Sequence, residues 1–466
     1  MNDQASSEGF FSVLRRALFI PEVPSYGNSV FYSLGFLAMT SLTLLVISGV
    51  VMVFFGSAWW ITAPWGIFMR SIHLWAAQIL MVILLLHVAV VFLTSGFKAP
   101  RRLTWVLGGF AFLLILIEAE FGYDLRGDFS SQYRALQGAD FWNGAFLGRW
   151  INTLNHAQAY GIHVIDIPVA IFAFIFLHYA LVKIRGIAKP YRSDAAYTMV
   201  PADHYRLFAR GGALAAVILM LALAFPSPFV EPETIGGIAE NDPNLVAQTL
   251  LSEFTRTSDT ATYLDSINPY AFDTRAVYVT GPYAQYLIAA GGSDALAEFS
   301  AKSADEQGAL IADAQQHYQQ AGSSQKKDAA NPLVSAVDAL VTMAKSGLYQ
   351  PAIDAENSSV NPTYSLRFIA DTGVLDAEAE AMHMTTEQWG MMREERGTIA
   401  PGAWWLAPIG FLDHTLLAND PNGDRDGAEL LGALALFLIL FPYIPYLSRL
   451  PEKMPLARMI WRAGGK

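Results

Sequence analysis

The chain has 466 residues, 53% of them hydrophobic and 15% charged, a balance too apolar for an ordinary soluble protein and one that points to several membrane crossings. It contains no cysteine, which excludes disulfides, thiolate metal sites, iron–sulfur ligation and thioether-linked haem from this chain. Its net charge of −11 is unevenly spread: residues 226–427 carry 10 basic and 28 acidic side chains, the remainder 20 and 13, and no basic stripe offers nucleic acid a footing.

In chain order, residues 1–29 form an N-terminal segment whose amphipathic stretch near Phe10–Ile20 is expected to lie at the membrane surface, with no leader-type cleavage pattern before it. Apolar runs at about Phe31–Phe55, Phe68–Ser95, Leu103–Phe121, Val164–Val182, Gly212–Phe225 and Leu430–Leu447 predict six transmembrane helices. Most reach the roughly 20 residues needed to cross ~30 Å of hydrocarbon. Arg15 and Arg16, then Lys98, Arg101 and Arg102, then Lys183, Arg185, Lys189 and Arg192, and finally Arg449, Lys453, Arg458 and Arg462 all fall on one side if every run crosses. That side is then cytoplasmic, both termini with it, and the segment 227–427 lies on the exported face of a bacterial-type inner membrane.

The fold class expected is an all-α membrane protein: a four-helix bundle over residues 30–192, and a cytoplasmic loop and fifth helix over 193–226. An acidic insertion follows over 227–400, then a last segment with the sixth helix and a basic tail over 401–466. Within the insertion, Ser303–Gln319 and Val334–Leu348 read as amphipathic helices. The stretch Asp420–Gly427 alternates oxygen-bearing side chains as calcium loops do, but it lacks the spaced glutamate and reads as a polar turn.

Four histidines carry the chemistry. His73 and His87 are 14 residues apart on the second run, and His163 and His178 are 15 apart on the fourth. At about 100° per residue these intervals return to within about 40° and 60° of the starting direction, and they place the two imidazoles of each helix about 21 Å apart along its axis. Two such helices side by side offer two bis-imidazole sites, one near each membrane surface, as two non-covalent b-type haems require. The bland alternative, packing or proton-relay histidines, leaves the matched intervals unexplained. His156, seven residues before His163, has no partner at suitable spacing. Gly35 and Gly49 on the first run, and Gly108 and Gly122 on the third, repeat the interval of 14. A missing side chain there lets a flat macrocycle lie close to the backbone, although helix–helix packing also uses glycine.

These residues resemble the cytochrome b subunit of quinol-oxidising cytochrome bc complexes, in the variant with chloroplast-type histidine spacing. The likeness rests on Arg70-Ser-Ile-His73, Pro100-Arg-Arg-Leu-Thr-Trp105, Phe121-Gly-Tyr-Asp-Leu125 and His163-Val-Ile-Asp-Ile-Pro168 with His178, and it covers about residues 30–190. The resemblance implies that His73 and His163 hold the haem nearer the exported face, and His87 and His178 the one nearer the cytoplasm. Arg70 would lie near a haem propionate, while Lys98 and Arg101 would suit cytoplasmic-side propionates or quinone. It further implies a dimeric complex in lipid, with a Rieske iron–sulfur protein and a c-type cytochrome as partners. Arg210–Phe225 and Pro401–Leu406 resemble the fifth helix and the segment before the sixth, with roughly 170 extra residues between them.

One departure bears on the reaction. Where the family has Pro-Glu-Trp-Tyr at its exported quinol site, this chain reads Gly402-Ala403-Trp404-Trp405, and alanine accepts no proton. Glu118, Glu120 and Asp166, at the exported ends of the third and fourth runs, are the candidate proton acceptors, with helix-terminal interfacial residues as their bland reading. Two functional readings follow. In one, the chain is the haem-bearing subunit of a quinol-oxidising complex. In the other, it is a di-haem conduit from an exported dehydrogenase or other redox protein to quinone reduction near the cytoplasm. A receptor or anchor would leave the histidine grid idle.

Overall fold

The computed structural model describes residues 19–188, 198–264, 273–320, 331–355, 363–382, 384, 402–420, 423–454 and 460. Most of the expected N-terminal amphipathic stretch therefore lies outside the described residues, as do Pro421 and Asn422 of the polar turn.

The membrane part is built from helices α1 (Leu34–Phe55), α2 (Pro64–Leu93), α3 (Arg102–Asp124), the shorter α4 (Phe129–Gly144), α5 (Ile167–Arg185) and α6 (His204–Ala224). Among the described residues, five helical stretches are long and apolar enough to cross a membrane: Val30–Phe55, Pro64–Leu93, Arg102–Asp124, His156–Arg185 and His204–Ala224. Their outward apolar side chains, such as Phe54, Phe176 and Ile184, are exposed, as lipid-facing residues are in a chain whose solvent is hydrocarbon. α1 lies along α2, α3 along α5, and α6 against both α1 and α2. A two-stranded antiparallel ribbon, Glu22–Pro24 with Met199–Pro201, ties the entry of α1 to that of α6.

Two departures from regular helix matter. The fourth crossing starts at His156–Gly161 and widens into a π-turn over Ile162–Asp166 before α5 begins. Pro168 has no N–H to return to the carbonyl four residues back, and the backbone bridges the gap with an i→i−5 bond from Ile167 to Ile162. His163 sits inside that turn. The sixth expected span is the second case: the apolar run is there, but it is bent. The helix Gly423–Leu440 stops there, and the pieces Glu429–Tyr443 and Leu447–Lys453 meet at 73°. Pro442 and Pro445 remove two backbone donors, and Tyr446 adopts φ 66°, so the run Leu430–Leu447 breaks instead of crossing straight.

The insertion is helical. Its principal helices are α7 (Pro243–Thr255), α8 (Ala304–Gln320), α9 (Pro332–Lys345), α10 (Tyr364–Asp371) and α11 (Val374–Ala381), followed by α12 (Gly423–Leu440). α9 buries Leu333, Val337, Leu340 and Val341 along one face, the periodicity of an amphipathic helix. That core does not stop at the insertion. It takes in Phe129 and Tyr133 of α4, so α4 is the floor on which the insertion is built. Asp128 starts α4 with a capping box to Ser131. The Phe129 N–H donates to Val230 O at 3.0 Å, and Gln132 exchanges two 2.8 Å bonds with the Glu233 backbone.

Candidate functional site

The two long helices that carry the histidines face each other across the bundle, and the flanking helices supply the glycines. His73 and His163 present their rings to each other with centroids 6.2 Å apart and planes at 69°. A metal about 2.0 Å from each of two opposed ring nitrogens, each about 1.1 Å from its ring centre, gives a centroid separation of about 6 Å. The pair thus stands at the spacing of a bis-imidazole metal site. His87 and His178 lie within electrostatic reach of one another, about four helical turns further along.

The glycines lie against these rings. A Cβ on Gly49 would stand 3.2 Å from Cε1 of His73, on Gly122 2.9 Å from Cε1 of His163, on Gly108 2.9 Å from Cε1 of His178, and on Gly35 3.6 Å from Cε1 of His87. The clearance that the 14-residue glycine interval provides is therefore taken up by the imidazoles themselves. Close approach lets three of the rings reach the carbonyl one turn before the glycine. Nδ1 of His73 lies 3.0 Å from Leu45 O, that of His163 3.1 Å from Glu118 O, and that of His178 2.8 Å from Thr104 O. Donating from Nδ1 fixes the tautomer and leaves the Nε2 lone pair for a metal. His73 also has Ser48 Oγ at 3.0 Å from Nδ1.

Glu118 has a second contact. Its Oε1 lies 3.1 Å from His163 Nδ1, so the candidate proton acceptor is the carboxylate member of a carboxylate–imidazole pair. Glu120 is two residues further along α3 and faces the other way. Asp166 sits exposed on the π-turn and is not brought to the histidines. His156 is likewise exposed, at the start of its crossing.

The two arginines are engaged with backbone. Arg70 is buried, donates to Ser227 O at 2.8 Å and stacks over Trp60 and Phe229, which fastens the chain leaving α6 to α2. Arg101 reaches the carbonyls of Arg185, Gly186 and Ile187 at 2.9–3.2 Å, and so closes the C-terminal end of α5. Lys98 pairs with Glu452.

The site also contains a residue that sequence reasoning passed over. Gln78, buried on α2 five residues after His73, donates to Tyr123 Oη at 3.2 Å and to Gly402 O at 3.3 Å, and it accepts from Trp404 Nε1 at 2.8 Å. It joins α2, the end of α3 and the Gly402–Trp405 segment. The available signal was an amide in the middle of an apolar span, where a polar group needs a protein partner. Ala403 is completely buried within that segment. Next to Gly35 and His87 in sequence, Val30, Phe31, Leu34, Leu86 and Val90 line a wholly apolar cavity of about 200 Å³.

Five membrane-crossing helices with imidazoles paired across the bundle define an all-α multi-pass membrane protein built around a buried central site. The model of the family cytochrome b (N-terminal)/b6/petB matches residues 78–234. Cytochrome b6 of Heliobacterium modesticaldum is 30% identical over 190 residues, 36% of this chain and 89% of that protein. The cytochrome bc1 complex cytochrome b subunit of Mycobacterium tuberculosis (strain H37Rv) is 30% identical over 173 residues, 34% of this chain and 32% of the relative's own length. Among solved structures, a hyperthermophilic respiratory Complex III chain aligns over 96% of this chain and 98% of its own length, at 16% identity and a TM-score of 0.42. The chain belongs to the cytochrome b/b6 family, as a divergent cytochrome b subunit.

Proposed function

We propose that this chain is the di-haem subunit of a membrane quinol-oxidising complex, with one b-type haem between His73 and His163 and a second between His87 and His178. The carrying observation is the 6.2 Å ring separation of His73 and His163, held by Nδ1 bonds that leave Nε2 for iron. A glycine also faces each of the four rings. Family membership supports the same reading through relatives named as cytochrome b6 and as the cytochrome b subunit of a bc1 complex.

A bound b-type haem supplies a reversible one-electron carrier. The rest is work of the polypeptide. α2 and α5 set the two sites about 21 Å apart, enough to carry charge over most of a ~30 Å hydrocarbon layer. Helices α1 and α3 hold the rings of His73, His163 and His178 in one tautomer. The Gly402–Trp405 segment, fixed through Gln78, borders the end of the bundle that carries His73 and His163. We place that end at the exported face and quinol oxidation beside it, with electrons leaving to an exported iron–sulfur or cytochrome partner. Both chain termini are placed in the cytoplasm, and quinone is reduced near His87.

The buried Ala403 favours a second reading, in which an exported redox protein feeds the haem of His73 and His163 and no quinol is oxidised there. Stopped-flow mixing of quinol with the oxidised complex separates the two. Prompt reduction of the haem lost in His73→Ala supports the first, and reduction only of the haem lost in His87→Ala supports the second. If neither substitution removes a haem signal, the ligand assignment fails.

A further inference from the structure

Glu120 and Asp124 stand four residues apart on α3 and share one face, roughly opposite the face on which Glu118 and Gly122 meet His163. Asp124 is 6% exposed, and both its carboxylate oxygens are buried without a hydrogen-bond partner; Oε2 of Glu120 is in the same condition. Arg134 of α4 acts electrostatically on both carboxylates. It is 4% exposed, its Nη2 is equally unpartnered, and its guanidinium sits 4.3 Å from the centre of the Tyr123 ring. The Trp405 ring lies 6.0 Å from that of Tyr123, and its Nε1 is also buried without a partner.

Buried polar atoms without partners are rare in folded proteins, and each calls for an account. Here five of them belong to Glu120, Asp124, Arg134 and Trp405, and the last two pack on Tyr123, which Gln78 ties to Gly402 and Trp404. Two carboxyls one turn apart repel each other whenever both are ionised, and burying both without hydrogen bonds is costly in either protonation state. Packing alone gives no reason to keep them. Proton transfer does: the oxidation of a quinol must dispose of two protons, and Ala403 takes none.

We propose that Glu120 and Asp124 are the proton acceptors for quinol oxidised beside the Gly402–Trp405 segment, with Arg134 and Gln78 as positioning residues. This rests on the proposed quinol-oxidising function. In the balanced step the two O–H bonds of quinol break and the two carboxylates become carboxylic acids. Two electrons leave singly, one to the haem of His73 and His163 and one to an exported iron-containing one-electron carrier, and quinone remains.

The test uses the full complex in membranes, with Asp124→Asn, Glu120→Gln and the double variant. Quinol-driven haem reduction in the double variant should slow by on the order of 100-fold or more. Haem content in the dithionite-reduced spectrum and the half-saturating quinol concentration should stay at wild-type values, and Asp124→Glu should recover part of the rate. A wild-type rate in the double variant overturns the proposal. Should Asp124→Asn fail to assemble, Glu120→Gln alone decides in the same way. Infrared difference spectra of the wild type on quinol oxidation should carry protonated-carboxyl bands that Glu120→Gln removes or shifts; unchanged bands in that variant also overturn it. If quinol fails to reduce the wild-type haem at all, the functional reading falls and this inference with it.

Discussion

Adding one methyl group at each of the four glycines of the bundle should give a graded response that the geometry ranks in advance. Alanine at Gly122 or Gly108 brings Cβ to 2.9 Å from Cε1 of His163 or His178, well inside the ~3.5–4.0 Å of ordinary carbon contact. Neither ring can simply retreat, because its Nδ1 is bonded to a carbonyl on the same helix as the glycine, Glu118 O or Thr104 O. Overpacking of this kind costs about 1–3 kcal/mol, and a lost hydrogen bond adds about 1 kcal/mol. With ~1.4 kcal/mol per tenfold, haem affinity at the affected site should fall roughly 30- to 1000-fold. At Gly49 the contact is 3.2 Å, and a drop of about tenfold or less is expected. At Gly35 it is 3.6 Å, ordinary contact, so the gain in helix propensity, up to ~1 kcal/mol, leaves the variant neutral or slightly more stable. The assay is haem per chain from the reduced haemochrome spectrum of the purified protein, resolved into two components by redox titration. Loss of haem in Gly35→Ala, with both haems kept in Gly108→Ala and Gly122→Ala, would refute the assignment of glycines to ligand rings.

Further outcomes follow from single contacts. Glu118→Gln replaces a charge-assisted acceptor of His163 by a neutral one, a difference of about 1 kcal/mol, or ~40 mV for a one-electron couple. The midpoint potential of that haem alone should rise, and a potentiometric titration in which neither component moves would contradict it. Arg101→Lys gives up the fork that closes the end of α5 on three carbonyls. Amide exchange at Lys183–Ile187 should quicken while the His73/His163 spectrum stays fixed. In the insertion, Glu253 is completely buried and accepts from Ser258 Oγ at 2.8 Å. Burial first, then the carboxyl of Asp371 beside it, pushes its pKa from 4.5 up to about 10. The folded insertion therefore holds a proton that the unfolded chain releases above its ordinary value. This contribution is complete below about pH 4.5 and is lost as pH rises towards 10, with a slope of at most ~1.4 kcal/mol per pH unit. Thermal melts across that window should lose stability with rising pH in the wild type and much less in Glu253→Gln. A flat wild-type profile would refute the proton held on Glu253.

How much of this was legible in the sequence depended on the range of the interaction concerned. Apolar length alone announced the crossings, because hydrocarbon demands about 20 residues whatever their neighbours are; for Leu430–Leu447 it announced the apolar run but not the 73° bend beside Pro442 and Pro445. The histidine and glycine intervals were readable because helical periodicity is local and rigid. Sequence could not say that each glycine would face an imidazole and not the plane of a macrocycle, since that depends on how α1 and α3 rotate against α2 and α5. Nor could it distinguish the roles of three carboxylates near one membrane surface. Glu118 turns to His163, Asp166 turns outward, and Glu120 turns to Asp124 and Arg134. Helix phase and the fold of α4 beneath the insertion decide those directions, and both arise from contacts between residues distant in the chain. The composition determined that this protein lives in a membrane, and the spacing of four histidines picked out the side chains proposed to carry its chemistry. Tertiary packing alone decided which backbone carbonyls hold those rings and which acidic groups were left buried without partners.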